Sequence, residues 1–323
     1  MKKIFVLITA ILVSLVGTIF LGGFVVYSNI PSEKEIKGCI LTTMFNLDLC
    51  PSSKNYVKLS AISPKLQRTI ILTEDSAFYT HNGFDQEGIQ RCFEKLKETH
   101  KISCGGSTIT QQLAKNMFLS QDKTFIRKGL EALITIKIEK VLTKKEILEK
   151  YLNIVQFGKN IYGVKQASHY YFKKQPSELD AVESAFLAMV LPNPEKYSQS
   201  YYRKDLTRFA RKRITDIIND MYRYKSLSED DYNSSLAKLE NFLQAGHALQ
   251  NNNPAELSHD DLTEMLEESE DTTSLQQRSR LSPSEENYNS IDTATEQTEN
   301  HDTNKTDKKE DEKSLKDSSD TEN

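Results

Sequence analysis

Apolar positions in this chain recur with the period of a helix far more often than they alternate. From Phe125 to Leu142 they fall at Leu130, Leu133, Ile134, Ile138 and Val141, the i, i+3, i+4 spacing of one helical face. Ala181 to Leu191 is a nearly unbroken apolar run, closed by Pro192-Asn193-Pro194 and preceded by Ser177-x-x-Asp180. Ser63-Pro64 reads as a cap followed by proline at the first helical position. Thr143-x-x-Glu146 reads as a capping box, and Ser228-x-x-Asp231 opens a last helix to about Leu243. Few runs alternate with period two, so the pattern predicts a mainly α body.

The hydropathy pattern also divides the chain. Met1-Lys2-Lys3 is followed by an uncharged apolar run from Ile4 to Tyr27, 24 residues long. A bilayer core needs about 20. The run exceeds the usual apolar stretch of a cleaved leader, and no small-x-small site follows it. The expectation is a retained single-pass anchor over residues 1–28, with the two lysines on the cytoplasmic side. Residues 29–62 are a polar, mixed juxtamembrane linker, and 63–246 are the compact body. Residues 247–323, rich in Asn, Ser, Thr, Asp and Glu, carry too few apolar groups to offset their ordering entropy and are expected to be disordered.

Charge changes the picture once it is split by segment. The chain has 46 acidic and 42 basic residues; 21 and 7 of these lie in 251–323, which leaves 25 and 35 in 1–250. An acidic tail of net −14 therefore masks a body of net +10. A basic body seeks an anionic partner. Outside the cytoplasmic membrane that is lipid phosphate rather than nucleic acid.

Four cysteines, Cys39, Cys50, Cys92 and Cys104, stand in a disulfide-permissive setting. Cys39–Cys50 and Cys92–Cys104 are the local pairings, but four cysteines allow three connectivities and the sequence leaves all three open. They lack zinc spacing.

Three polar stretches carry candidate chemistry. The first is Glu74-Asp-Ser-Ala-Phe78-Tyr-Thr-His81-Asn-Gly83-Phe-Asp85. Glu74 follows the apolar run Ile70-Ile71-Leu72, a setting that suits acid–base work, although most such glutamates are solvated helix residues. The second is Gly105-Gly-Ser107-Thr108-Ile-Thr-Gln111-Gln-Leu-Ala-Lys115-Asn116. A glycine turn feeding a helix N-terminus offers free N–H groups to an anion, with Lys115 two turns on. An ordinary capped helix would read the same way. The third holds Lys123, Arg127, Lys128 and Glu131; Arg127 and Glu131 share a helix face, as a surface ion pair would.

These stretches, with Lys145-Glu-Ile-Leu-Glu-Lys-Tyr151-Leu-Asn153 and Gly158-x-x-x-Tyr162-Gly163 after them, resemble in order and spacing the peptidoglycan glycosyltransferases of family 51 over about residues 60–200. The resemblance implies a lysozyme-like, mainly α domain behind its anchor, acting on the outer face of the cytoplasmic membrane. It implies that lipid II and the growing glycan chain are substrates. The expected partners are membrane lipids and other wall-synthesis or division proteins, with no nucleic acid among them. Glu74 would be the general base and Glu131 a second carboxylate. Ser107, Thr108, Gln111, Lys115, Lys123, Arg127 and Lys128 would hold substrate. Many relatives have arginine at position 123. A divalent cation such as Mg²⁺ is expected to assist, without a dedicated ligand cage; no organic cofactor is expected.

Bifunctional relatives append a transpeptidase. Ser235-Leu-Ala-Lys238 matches one of its motifs, but Lys-Thr-Gly occurs nowhere, so the monofunctional form is expected. Two rival readings are a lytic enzyme that cuts glycan and a non-catalytic scaffold recruiting partners through the acidic tail. Met117-Phe118-Leu119, near Phe125, either dips into the lipid leaflet or packs in the core.

Overall fold

The computed structural model describes residues 5, 9, 12–18, 20, 23, 28–100, 106–122 and 124–243. The expected tail, Cys104, Gly105 and Lys123 lie outside them, as does most of the expected anchor. Among the described residues no helix is long and apolar enough to cross a membrane.

The described chain is mainly helical. Helix α1 (Glu33–Lys37) is followed by a short hairpin, β1 (Ile40–Leu41) antiparallel to β2 (Asp48–Leu49). Then come α2 (Pro64–Glu74), α3 (Gln86–Thr99), α4 (Ile109–Phe118), α5 (Phe125–Val141) and α6 (Lys144–Ile154). A second hairpin, β3 (Gln156–Gly158) with β4 (Ile161–Tyr162), leads into α7 (Gly163–Phe172). The chain closes with α8 (Ala181–Val190), the single turns α9 (Pro194–Tyr197) and α10 (Gln199–Tyr202), α11 (Arg208–Arg223) and α12 (Glu229–Glu240).

Helix α8 is buried at every position, as a helix apolar all round must be. Helices α2, α11 and α12 pack around it, while α4 lies between α5 and α6. In α2 the buried stripe Leu66–Ile70–Glu74 advances four residues at a time, so the last step of an apolar ridge carries a carboxylate into the body. Helix α3 is the opposite case: none of its described side chains is fully buried, and Ile89 and Phe93 stand exposed.

Two caps differ from the sequence reading. Ser63 precedes α2 with proline at its first turn, yet its hydroxyl donates to the Leu179 carbonyl instead of capping the helix. Residues Pro176–Glu178 form a 3₁₀ turn, and α8 is capped by Asp180 with Glu183, each side chain accepting the other's backbone N–H at 3.0 Å. The box simply sits three residues later, where the apolar run begins.

Residues 29–62, read as a linker, contribute folded elements. Ile36 and Leu49 are core residues, and Cys39–Cys50 is a disulfide that closes the first hairpin. Cys92 is also disulfide-bonded. Segment 56–59 is zipped to α6. Glu149 accepts from the Tyr56 hydroxyl at 2.6 Å and the Leu59 amide at 2.7 Å, and Asn153 exchanges two 2.8 Å bonds with the Val57 backbone.

Candidate active site

The site forms where the end of α2, the start of α4 and the first turns of α5 converge. Glu74 is the last residue of α2 and only 7% exposed. Gln112 Nε2 donates to its Oε2 at 2.9 Å, and the Tyr151 hydroxyl of α6 donates to Gln112 Oε1 at 3.1 Å. The ionised carboxylate can only accept, so it takes the NH₂ end of Gln112 and leaves the amide oxygen to the Tyr151 hydroxyl.

The rest of the first motif anchors α4. Asp75 Oδ2 accepts the Ile109 amide at 2.9 Å, meeting one of the orphan donors of that helix start. Asp75 Oδ1 lies 2.8 Å from His81 Nε2. The Gly83 amide donates to His81 Nδ1 at 3.0 Å, so Nδ1 is the acceptor and Nε2 donates to Asp75. The loop closes when Thr108 Oγ1 donates to the Gly83 carbonyl at 2.7 Å. Gly83 has φ +92°, and a Cβ there would lie 2.7 Å from Thr135 Cγ2 of α5. Turn and close approach both require glycine.

The second motif behaves as a capped helix start. Thr108 caps α4 in a box with Gln111, whose Oε1 accepts the Thr108 amide at 3.0 Å. Gln111 is buried and its side chain serves this cap. One face of α4, at positions 108, 112 and 115, carries Thr108, Gln112 and Lys115.

Glu131 is 2% exposed in α5. Arg127 Nη1 donates to Oε2 at 2.9 Å, and Lys128 pairs with Oε1. Lys128 Nζ also reaches Ser107 Oγ at 3.4 Å, tying α5 to the turn before α4. Burial pushes Lys115 below the usual lysine value. Glu131 opposes that shift, Arg127 and Lys128 add to it, and Glu74 opposes it. Lys115 is thus in electrostatic reach of all four and joins the Glu74 side of the site to the Glu131 side. Ser107, Thr108, Lys115, Arg127, Lys128, Glu131 and Glu74 therefore come together, while Gln111 is committed to its helix cap.

The sequence reading passed over Gln112. Its signal was the Thr108-x-x-Gln111 capping box, which takes Gln111 for the helix start and leaves Gln112 as the glutamine free to reach Glu74. Of the stretch near Phe125, Met117 and Leu119 are buried and Phe118 half-buried, whereas Phe125 is 97% and Ile126 75% exposed.

Among the described residues no group of three or more His, Cys, Asp or Glu side chains is gathered to hold a metal, and both Glu131 oxygens already accept from cations.

The site thus holds a carboxylate buried at a helix end, within electrostatic reach of a half-buried lysine that is coupled to a second carboxylate and two more cations. Residues 42–222 match the family model described as transglycosylase, and the chain belongs to that family of glycosyltransferases. Among its relatives is the biosynthetic peptidoglycan transglycosylase of Aromatoleum aromaticum. It is 47% identical over 146 residues, which are 45% of this chain and 64% of that protein's length. The Chromobacterium violaceum protein of the same name is 46% identical over 156 residues, 48% of this chain and 68% of its own length. The Acinetobacter baylyi one is 43% identical over 180 residues, 54% and 80%.

Proposed function

We propose that this chain polymerises lipid II into glycan strands by inverting transfer. Glu74 takes the proton from the 4-hydroxyl of an acceptor N-acetylglucosamine. That oxygen forms a bond to the anomeric carbon of the donor N-acetylmuramic acid, and the bond to the lipid pyrophosphate breaks. One displacement inverts the α-linkage to β, as in an inverting glycosidase with a sugar hydroxyl in place of water.

The leaving group gathers negative charge in the transition state. Lys115, Arg127 and Lys128 stabilise it, Arg127 through a planar fork suited to phosphate oxygens. Lys123 belongs to the same cationic stretch. Glu131 holds Arg127 and Lys128 in place until the diphosphate arrives. A divalent cation such as Mg²⁺ would add further positive charge opposite the leaving diphosphate.

The observation that carries this reading is the pair of buried carboxylates, Glu74 held by Gln112 and Glu131 held by Arg127 and Lys128, with half-buried Lys115 in electrostatic reach of both. The site works at the outer face of the cytoplasmic membrane, anchored through residues 1–28, so that enzyme and lipid-linked substrate share a leaflet. Exposed Phe125 and Ile126, beside Arg127, suit that placement.

The test is to incubate the full chain with labelled lipid II in detergent or vesicles. Polymer supports the reading, and shortened sacculus fragments from purified wall would support the lytic rival. Glu74→Gln keeps an oxygen to accept from Gln112 but cannot take a proton, and should lose about 10²- to 10⁴-fold in rate while staying folded. Full activity in that variant would overturn the assignment.

A further inference from the structure

We infer that Glu139, a residue outside the substrate-contacting set, is a positioning residue for glycosyl transfer; the inference rests on the function proposed above. Glu139 lies two turns beyond Glu131 on α5, and its side chain is only 8% exposed. One oxygen does two tasks. Oε1 accepts from Thr110 Oγ1 at 2.5 Å and from Lys144 Nζ at 2.7 Å.

Each partner leads to a different part of the site. Thr110 is fully buried in the first turn of α4, two residues before Gln112, which holds Glu74, and five before Lys115. Lys144 opens α6, and its ammonium lies 4.7 Å from the ring centroid of Phe78, a buried residue of the Glu74 motif. The Glu139 stem also runs beneath Gly83: a Cβ there would lie 3.1 Å from Glu139 Cγ. The motif loop that starts at Glu74, the helix that carries Gln112 and Lys115, and the start of α6 therefore meet on one carboxylate. A shift of its oxygen moves α4 against the loop, and with it the distance between proton acceptor and cation. Misplacement of about 1 Å in a reacting geometry can cost about 100-fold in rate.

Three variants separate position from charge. Glu139→Asp keeps the charge but withdraws the oxygen by about one C–C bond, ~1.5 Å. Glu139→Gln loses the charge but keeps an acceptor in place. Thr110→Val removes the donor and leaves the Lys144 pair. We expect kcat for lipid II polymerisation to fall roughly 10- to 100-fold in Glu139→Asp and roughly 10-fold in Thr110→Val, with KM within about twofold. Glu139→Gln should be the least affected of the three. The double variant Glu139→Asp/Thr110→Val should be no slower than Glu139→Asp alone, since both act along one path.

A role limited to the ion pair would reverse the order, with Glu139→Gln the more damaged. That order, or kcat falling only in step with the melting temperature, or unchanged kcat in both Glu139→Asp and Thr110→Val, would overturn the inference. If Glu139→Asp fails to fold, Thr110→Val alone decides. Wild type in the same assay distinguishes the two levels. Polymer from wild type with unaffected variants removes only the role of Glu139, whereas no polymer from wild type removes the proposed function and this inference with it.

Discussion

The amide of Gln112 donates to the Glu74 carboxylate at 2.9 Å, and Tyr151 holds the other end of that amide. The Glu74 carboxylate is therefore oriented from two helices, α4 and α6, neither of which carries it. Gln112→Leu fills similar space without a donor and should lower kcat about tenfold, since one hydrogen bond to a charged group is worth about 1.5 kcal/mol. Tyr151→Phe frees the amide to turn and should cost less, roughly two- to fivefold. Steady-state polymerisation rates check both; a Tyr151→Phe loss larger than that of Gln112→Leu would contradict the order of the chain.

Lys115 gives a pH signature. Burial holds its proton less tightly than the usual 10.5. Above its own pKa the amine is neutral and cannot offset a departing diphosphate, so the rate should fall with rising pH earlier than for a solvent lysine. Lys115→Arg keeps the charge to higher pH, and its alkaline limb should move upward whatever its absolute rate. Stability has the opposite sign. Between the folded value and 10.5 the unfolded chain binds more protons at this site, so its contribution to stability rises with pH there. A kcat–pH profile of both proteins checks the first statement, and denaturant melts at two alkaline pH values check the second.

Gly83→Ala meets two obstacles, φ +92° and the Thr135 methyl at 2.7 Å. A loss of about 1–3 kcal/mol in unfolding free energy is expected from the strained backbone alone. Because the Gly83 carbonyl accepts from Thr108 and its amide donates to His81, activity should fall further than stability does. Chemical denaturation beside the polymerisation assay separates the two.

The Cys39–Cys50 disulfide closes a loop of sequence separation 11. Loop-closure entropy for that length is about 3 kcal/mol, so Cys39→Ser/Cys50→Ser should be less stable by up to that amount. The hairpin it staples also touches the site helix, where the Thr43 amide donates to the Met117 carbonyl of α4 at 2.9 Å. Melting of wild type and the double variant, with and without reductant, measures the effect.

How much of this was legible beforehand differed by element. Thr143 and Glu146 form the box that their spacing promised, because both halves of that signal are local. The apolar run after residue 180 did become a helix buried all round. Tertiary pairings were not legible. Nothing in the order of residues tells Asp75 to accept from Ile109, 34 positions on, or Glu149 to take the backbone of residues 56–59. The mixed stretch 29–62 reads as linker because its apolar residues, Ile36 and Leu49 among them, follow no sustained period; those two are buried by what α5 and α6 supply. In the site the residue types and their clustering were readable. The choice between neighbouring glutamines turned on the cap: once Thr108 is the N-cap, Gln111 closes its box and Gln112 is the one that reaches Glu74.

The wholly buried helix at 181–190 also sets an order of events during synthesis. Glu74 sits at the end of a ridge whose floor is α8 and α11, segments that leave the ribosome more than a hundred residues later. Until those are made, Leu66 and Ile70 have nothing to lie on, and such surface on a half-finished chain invites non-native association. A nascent protein that already holds Glu74 through Glu131 thus still lacks the floor on which the Glu74 ridge rests, and gains it only once the chain has been made past residue 223.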